Sequence, residues 1–186
     1  SFKTVNTGGA PLGTWASGGN LNTGRNAGTG TGISTAALSI GGAQTTYHAE
    51  TEQYDGSSWT EVSDLNTARA YFMNPGSGPY TASLVAGGLS SPTRLSITET
   101  WDGSSWTEVA DLNTARSQGG GASNGTTTAT LVFGGTIPGA FQVITESWNG
   151  SAWTEVADMN SNRYQFPGGG TQTTAVAMGG QTPPGT

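Results

Sequence analysis

A nine-residue stretch of this chain occurs three times in nearly the same form, and that recurrence limits the fold more than any other feature. Tyr54-Asp55-Gly56-Ser57-Ser58-Trp59-Thr60-Glu61-Val62 returns as Trp101-Asp102-Gly103-Ser104-Ser105-Trp106-Thr107-Glu108-Val109, and a third copy runs from Trp148 to Val156. An Asp-Leu/Met-Asn segment and an arginine follow each copy, so that Arg25, Arg69, Arg116 and Arg163 stand 44, 47 and 47 residues apart. Trp15, Trp59, Trp106 and Trp153 keep the same phase, as do the glycine pairs Gly41-Gly42, Gly87-Gly88, Gly134-Gly135 and Gly179-Gly180. Self-similarity at a period of about 40–50 residues marks a chain in which one supersecondary unit stacks on the next, because a single unit cannot bury its own apolar face. The units run over residues 19–62, 63–109 and 110–156, with a fourth assembled from 157–186 and 1–18. All 186 residues then form one domain.

Within a unit the apolar residues come in short runs with Thr, Val and Ile, bounded by Gly, Pro and Asn, which is a strand pattern and not a helical one. Four strands fit: strand a just after the arginine, strand b before the glycine pair (131–133), strand c at 97–101 and strand d at 105–109. Asp-Gly or Asn-Gly between c and d is the strongest short signal for a tight hairpin. Strand b is apolar or small on both faces, as expected of a strand covered on both sides.

These markers resemble the kelch motif: a glycine pair closing strand b, a Glu two residues before an aromatic, and a Trp just beyond the turn. The resemblance covers nearly the whole chain. It implies an all-β fold, a β-propeller of four blades with four antiparallel strands each. The ring would be closed by N-terminal c–d strands joining the C-terminal a–b strands, which leaves no long open edge. Two features depart from the family pattern: the aromatic-to-Trp spacing is tighter, and four units are fewer than the usual six or seven.

Composition narrows the function. Twelve acids against six bases give a net charge of −6, which repels phosphate backbones and anionic lipid, so nucleic acid is not an expected partner. No apolar run reaches the ~20 residues that span a bilayer, so membrane insertion is not expected either. The chain has no Cys, so its stability is expected from packing and not from disulfides or thiolate metal sites. It opens on Ser1-Phe2-Lys3 without an apolar signal region, and the missing initiator Met points to processing.

Catalytic chemistry finds few residues outside the repeat. Glu52, Glu99 and Glu146 share one repeat position, Glu61, Glu108 and Glu155 another, and Asp64, Asp111 and Asp158 a third; Asp55 and Asp102 share a fourth with Asn149. Among acids only Glu50 stands apart, and His48 is the sole histidine. A Ser-His-Asp triad would depend on His48, and a zinc site lacks ligands. The kelch resemblance also brings in copper oxidases, whose chemistry needs histidines and a cysteine that are missing here. Repeated carboxylates lining a channel would be the one route to a hydrolase. No catalytic residue, metal or cofactor is therefore expected.

The repeated polar residues read as structure. Glu99 alternates onto the same strand face as Ile97 and Trp101, and a buried carboxylate needs a partner, which the arginine column supplies. Arg–Glu pairs are the expectation, with one arginine paired differently because the first c-like strand (2–6) has no such Glu. Trp15, Trp59, Trp106 and Trp153 read as packing residues between units, with sugar stacking as the alternative.

Binding is expected where the units differ. The loops after the glycine pairs vary, with Tyr47 and His48 in 43–50, Arg94 in 89–96 and Phe141 in 136–143. The segments after the arginines vary as well, with Tyr71, Phe72, Met73 and Tyr80 in one unit and glycine-rich 117–125 in another. Asn124-Gly125-Thr126 and Asn149-Gly150-Ser151 match glycosylation acceptors. The expected function is a non-enzymatic structural or attachment module that presents these loops to other proteins or to further copies of itself. Its placement on a virion or extracellular surface follows from resemblance to kelch-like units in structural proteins of bacteriophages. The rival is a carbohydrate-binding propeller.

Overall fold

The structure, a computed structural model, describes residues 18–73, 78–122 and 124–182. Among these residues there is no helix; the chain is a succession of short antiparallel strands and turns. The first unit forms a four-stranded meander, β1 (Thr29–Ile33), β2 (Ala36–Ala43), β3 (Tyr47–Tyr54) and β4 (Trp59–Glu61). The second forms β5 (Ser83–Ser90), β6 (Thr93–Trp101) and β7 (Trp106–Val109). In the third, β8 (Gly120–Gly121), β9 (Thr130–Phe133), β12 (Thr145–Trp148) and β13 (Trp153–Val156) make one sheet, and β10 (Thr136–Ile137) with β11 (Ala140–Phe141) forms a small hairpin between β9 and β12. The last pair is β14 (Gly168–Thr171) with β15 (Thr174–Ala177). Among the described residues no sheet closes into a barrel.

Strands b, c and d fall where the apolar runs and turn signals placed them, while strand a is less regular than the repeat suggested. In the second unit the chain follows β5 through an isolated Ala70–Leu89 bridge and a hydrogen bond from Met73 N–H to the Ala86 carbonyl, without a continuous ladder. The N-terminal c–d strands expected to join β14 and β15, with Trp15, lie outside the described residues.

Each c–d hairpin turns on a side-chain carbonyl or carboxylate oxygen. Asp55 accepts the Ser57 and Ser58 N–H groups at 2.8 Å through one oxygen, Asp102 does the same for Ser104 and Ser105, and Asn149 does so for Ser151 and Ala152. The glycine after each has a positive φ of 96–100°, which glycine adopts without strain. The turn sets the register Tyr54↔Trp59, Trp101↔Trp106 and Trp148↔Trp153, and the paired rings lie 5.0–5.4 Å apart.

Successive sheets are tied by a repeated hydrogen bond. Gly42, Gly88 and Gly135 each donate their N–H to the carbonyl of Arg69, Arg116 and Arg163 in the following unit, at 3.0 Å. Reaching that carbonyl requires the left-handed kink at the preceding glycine, where φ is 54–66° and an added Cβ would come within 2.6–2.8 Å of the same oxygen. At Gly41-Gly42 and Gly87-Gly88 the strand register shifts as at a β-bulge, and at all three pairs the kink lets two sheets approach.

The apolar core lies between sheets. One cluster joins the first and second units through Leu38, Ile40, Leu65, Val85, Trp101 and Trp106. A second joins the second and third through Leu84, Ala86, Leu112, Val132, Trp148 and Trp153.

Candidate binding face

The buried polar frame comes first, because it fixes every variable residue. Arg69 and Arg116 carry fully buried side chains paired with equally buried Glu99 and Glu146. Arg25 pairs with Glu52 at 2.6 Å. In each pair the second carboxylate oxygen is held by an asparagine: Asn66 donates both its N–H and its side-chain amide to Glu99 at 2.8 Å, and Asn22 and Asn113 do the same for Glu52 and Glu146. The same amides also donate to the carbonyls of Trp59, Trp106 and Trp153. Burial lowers the pKa of the Arg69 and Arg116 guanidinium groups, and Glu99 and Glu146 oppose that shift. For Glu52, burial acts upward but the Asn22 N–H, the Arg25 guanidinium and the Thr23 N–H outweigh it, so its pKa is lowered. Arg163 differs: it is partly exposed and donates to the Gly179 carbonyl at 2.8 Å.

Trp106 and Trp153 are buried, and each indole N–H reaches back one sheet, to the hydroxyls of Thr51 and Thr98 at 3.0 Å. Trp59 is half-buried and donates to the Gly19 carbonyl. None of these three presents a ring on an open rim.

The variable loop residues sit on the hairpins that extend b and c past the glycine bulges, and two of them reach the next unit. Arg94 donates from Nε to the Thr136 hydroxyl at 3.0 Å. Phe141 stacks on Tyr164 with centroids 4.4 Å apart and planes 1° from parallel. His48 lies 3.0 Å from Glu50 through Nδ1, and the pKa of Glu50 is lowered, burial being outweighed by its own backbone N–H and by His48. Tyr47 is half-buried opposite Ala43.

At the same end of the sheets lies a feature that the sequence reading missed. Ala27, Tyr71, Gln118 and Gln165 each stand two residues after a repeat arginine, and each is left-handed, with φ of 52–61°. The Tyr71 N–H donates to the Ala27 carbonyl, Gln118 to Tyr71, and Gln165 to Gln118, at 2.7–2.8 Å. This belt surrounds one cavity of about 760 Å³, whose wall includes Phe72, Phe166 and Pro167 as well as the four belt residues. The turns between strands a and b at the opposite end line a separate opening of about 610 Å³ that includes Ile33, Tyr80 and Asn124. Non-glycine residues rarely take positive φ, and such strain persists only where the surroundings hold it. Alanine, tyrosine and glutamine carry no left-handed signal; only their fixed offset from the arginine could have exposed the position.

None of the described residues that line the belt cavity is charged. Its chemistry is aromatic, amide and backbone, suited to neutral polar contacts. Among the described residues no group of three or more His, Asp or Glu could hold a metal ion, and no helix is long and apolar enough to cross a membrane. Asn149, one of the glycosylation matches, has its side-chain oxygen committed to the turn. No protein-family model matches the chain, and no curated protein matches it.

Proposed function

We propose that the chain is a four-bladed β-propeller of kelch-like units that serves as a non-enzymatic structural or attachment module on a virion or extracellular surface. It contacts other proteins, further copies of itself included, through the face bearing the belt and the extended hairpins. One observation carries this reading: equivalent residues of four units converge on a single cavity in one backbone conformation, while their side chains differ as Ala, Tyr, Gln and Gln. A constant frame with a variable mouth is the arrangement of a recognition surface on a rigid scaffold. Seven of the twelve acids are engaged in the frame: Glu52, Glu99 and Glu146 hold Arg and Asn, Asp55 and Asp102 cap turns, and Asp64 and Asp111 accept from Thr51 N–H and the Ser96 hydroxyl.

Light scattering over a range of concentration, read beside a glycan array, tests the reading. The expected result is a mass that rises above 18.8 kDa with concentration, reverts to the single-chain value in Tyr71→Asp, and is accompanied by no saturable glycan binding. Glycans bound at equivalent sites by a chain that stays at the single-chain mass would replace the module with a lectin.

A further inference from the structure

We infer that Asn149 is a site of self-modification: the backbone nitrogen of Gly150 attacks its side-chain amide, and the chain converts itself at this one turn to aspartate and isoaspartate. The inference uses the c–d turns alone and does not depend on the propeller reading.

The repeat supplies three copies of one turn with two different head groups. Asp55-Gly56, Asp102-Gly103 and Asn149-Gly150 occupy the same place between strands c and d, are exposed, and carry the glycine at a φ of 96–100°. A carboxylate resists attack by a neighbouring amide nitrogen because it is already an anion, and with a pKa of about 2 both Asp55 and Asp102 are ionised at neutral pH. The amide of Asn149 is neutral, and its carbon stays electrophilic. The turn then assists the attack. Asn149 Oδ1 accepts from the Ser151 N–H, the Ala152 N–H and the Ser151 hydroxyl at 2.9–3.0 Å. Charge grows on that oxygen as a nucleophile adds, so donors already in place favour the tetrahedral intermediate, as in an oxyanion hole. Among the described residues neither Asn149 Nδ2, the leaving nitrogen, nor the attacking Gly150 nitrogen donates a hydrogen bond. Gly150 also has no Cβ to crowd the five-membered ring that forms.

The reaction needs only water. The bond from the Gly150 nitrogen to Asn149 Cγ forms and the Cγ–Nδ2 bond breaks; the proton lost by Gly150 returns through solvent to Nδ2, which departs as ammonia. One water molecule then opens the succinimide at either carbonyl, giving aspartate or, with the main chain rerouted through the side-chain carbon, isoaspartate. Aspartate at this position keeps the turn, as Asp102 does. Isoaspartate lengthens the backbone between Trp148 and Trp153, whose register and 5.2 Å ring contact the turn sets. The second Asn-Gly pair is the internal reference. Asn124 is exposed, but Gly125 is buried and its N–H donates to the Ala122 carbonyl at 2.9 Å, so attack there must first give up a hydrogen bond.

The test holds the full chain folded at mildly alkaline pH and physiological temperature, beside a sample unfolded in guanidinium chloride, and reads amide-to-acid conversion by peptide mapping. Unfolded, the two pairs share Asn-Gly and a following Thr or Ser, and should convert alike. Folded, Asn149 should convert at least as fast as in the unfolded sample. It should outrun Asn124 by roughly five- to ten-fold, the rate equivalent of one backbone hydrogen bond. Asp102→Asn carries the amide into the turn of the second unit, where position 102 should convert at the rate of Asn149. An Asn149 that converts more slowly folded than unfolded overturns the inference, because the turn then protects the amide. An Asn124 as fast as Asn149 in the folded chain, or an inert amide at position 102, overturns it as well, because the turn geometry then contributes nothing.

Discussion

Arg116 and Arg163 hold the same repeat position, yet the structure gives them different work, and that contrast makes the buried pair testable. Arg116 is shut off from solvent and pairs directly with Glu146, whereas Arg163 is partly exposed and donates to a carbonyl. Removing one member of a buried pair leaves the other uncompensated, at about 3–5 kcal/mol. Arg116→Met should lower the melting temperature by roughly 10 °C, at about 2–4 °C per kcal/mol for a chain of this size, and Arg163→Met should cost a small fraction of that. Equal shifts in the two melting curves would remove the distinction. The two pairing columns were legible in the sequence, because a charge that alternates onto a buried strand face demands an opposite charge at the same period. The asparagine that holds the second carboxylate oxygen was visible as part of a recurring segment. Its role was not, since an amide needs no partner to be tolerated at a surface.

At the scale of the element, the c–d turn is held by a carboxylate in two units and by an amide in the third. The pKa of Asp55 and Asp102 is lowered from 3.8 to about 2, for Asp55 first by the Ser58 N–H and for Asp102 first by the Ser105 N–H. A folded pKa below the unfolded one means that the contribution is complete above about pH 4 and is lost as pH falls toward 2. The double variant Asp55→Asn, Asp102→Asn should therefore fold at neutral pH with the turn that Asn149 already makes, and show a flatter loss of stability between pH 4 and 2. Urea midpoints across that range measure it, and a variant as acid-sensitive as the parent would exclude these turns as a source. The glycine bulge is the second element-scale device. Gly87→Ala places a Cβ within 2.6 Å of the Arg116 carbonyl and of Met73 at a φ of +60°, so a loss of about 1–3 kcal/mol is expected. Gly139→Ala, also at positive φ but with open space around it, should cost less in the same denaturation series. Asp-Gly announced the hairpin turn in the sequence, whereas Gly-Gly was legible only as the marker that closes strand b. Strand a was not, because the chain there meets its neighbour through isolated bridges and belt contacts, which leave no period-2 pattern to read.

For the whole molecule, burial differs from one sheet to the next. Val85 and Val132, in the middle sheets, are fully buried, while Val176 and Met178, in and just after β15, are 52% and 47% exposed. A sheet flanked on both sides opens only with its neighbours, so its amides report near-global unfolding, while a sheet with an uncovered flank opens locally. Amides of β5 and β9 should therefore exchange most slowly. Amides of β14 and β15 should exchange several-fold faster than those of residues 84–86 in native-state hydrogen exchange. Equal exchange in all the sheets would show that the molecule opens as one cooperative unit and that the exposure of Val176 and Met178 weakens no single sheet. The described contacts that hold the β14–β15 sheet come from the third unit, through the packing of both strands on β8 and the bond from the Gly135 N–H to the Arg163 carbonyl, so its opening should follow that one interface and not the clusters between the earlier sheets.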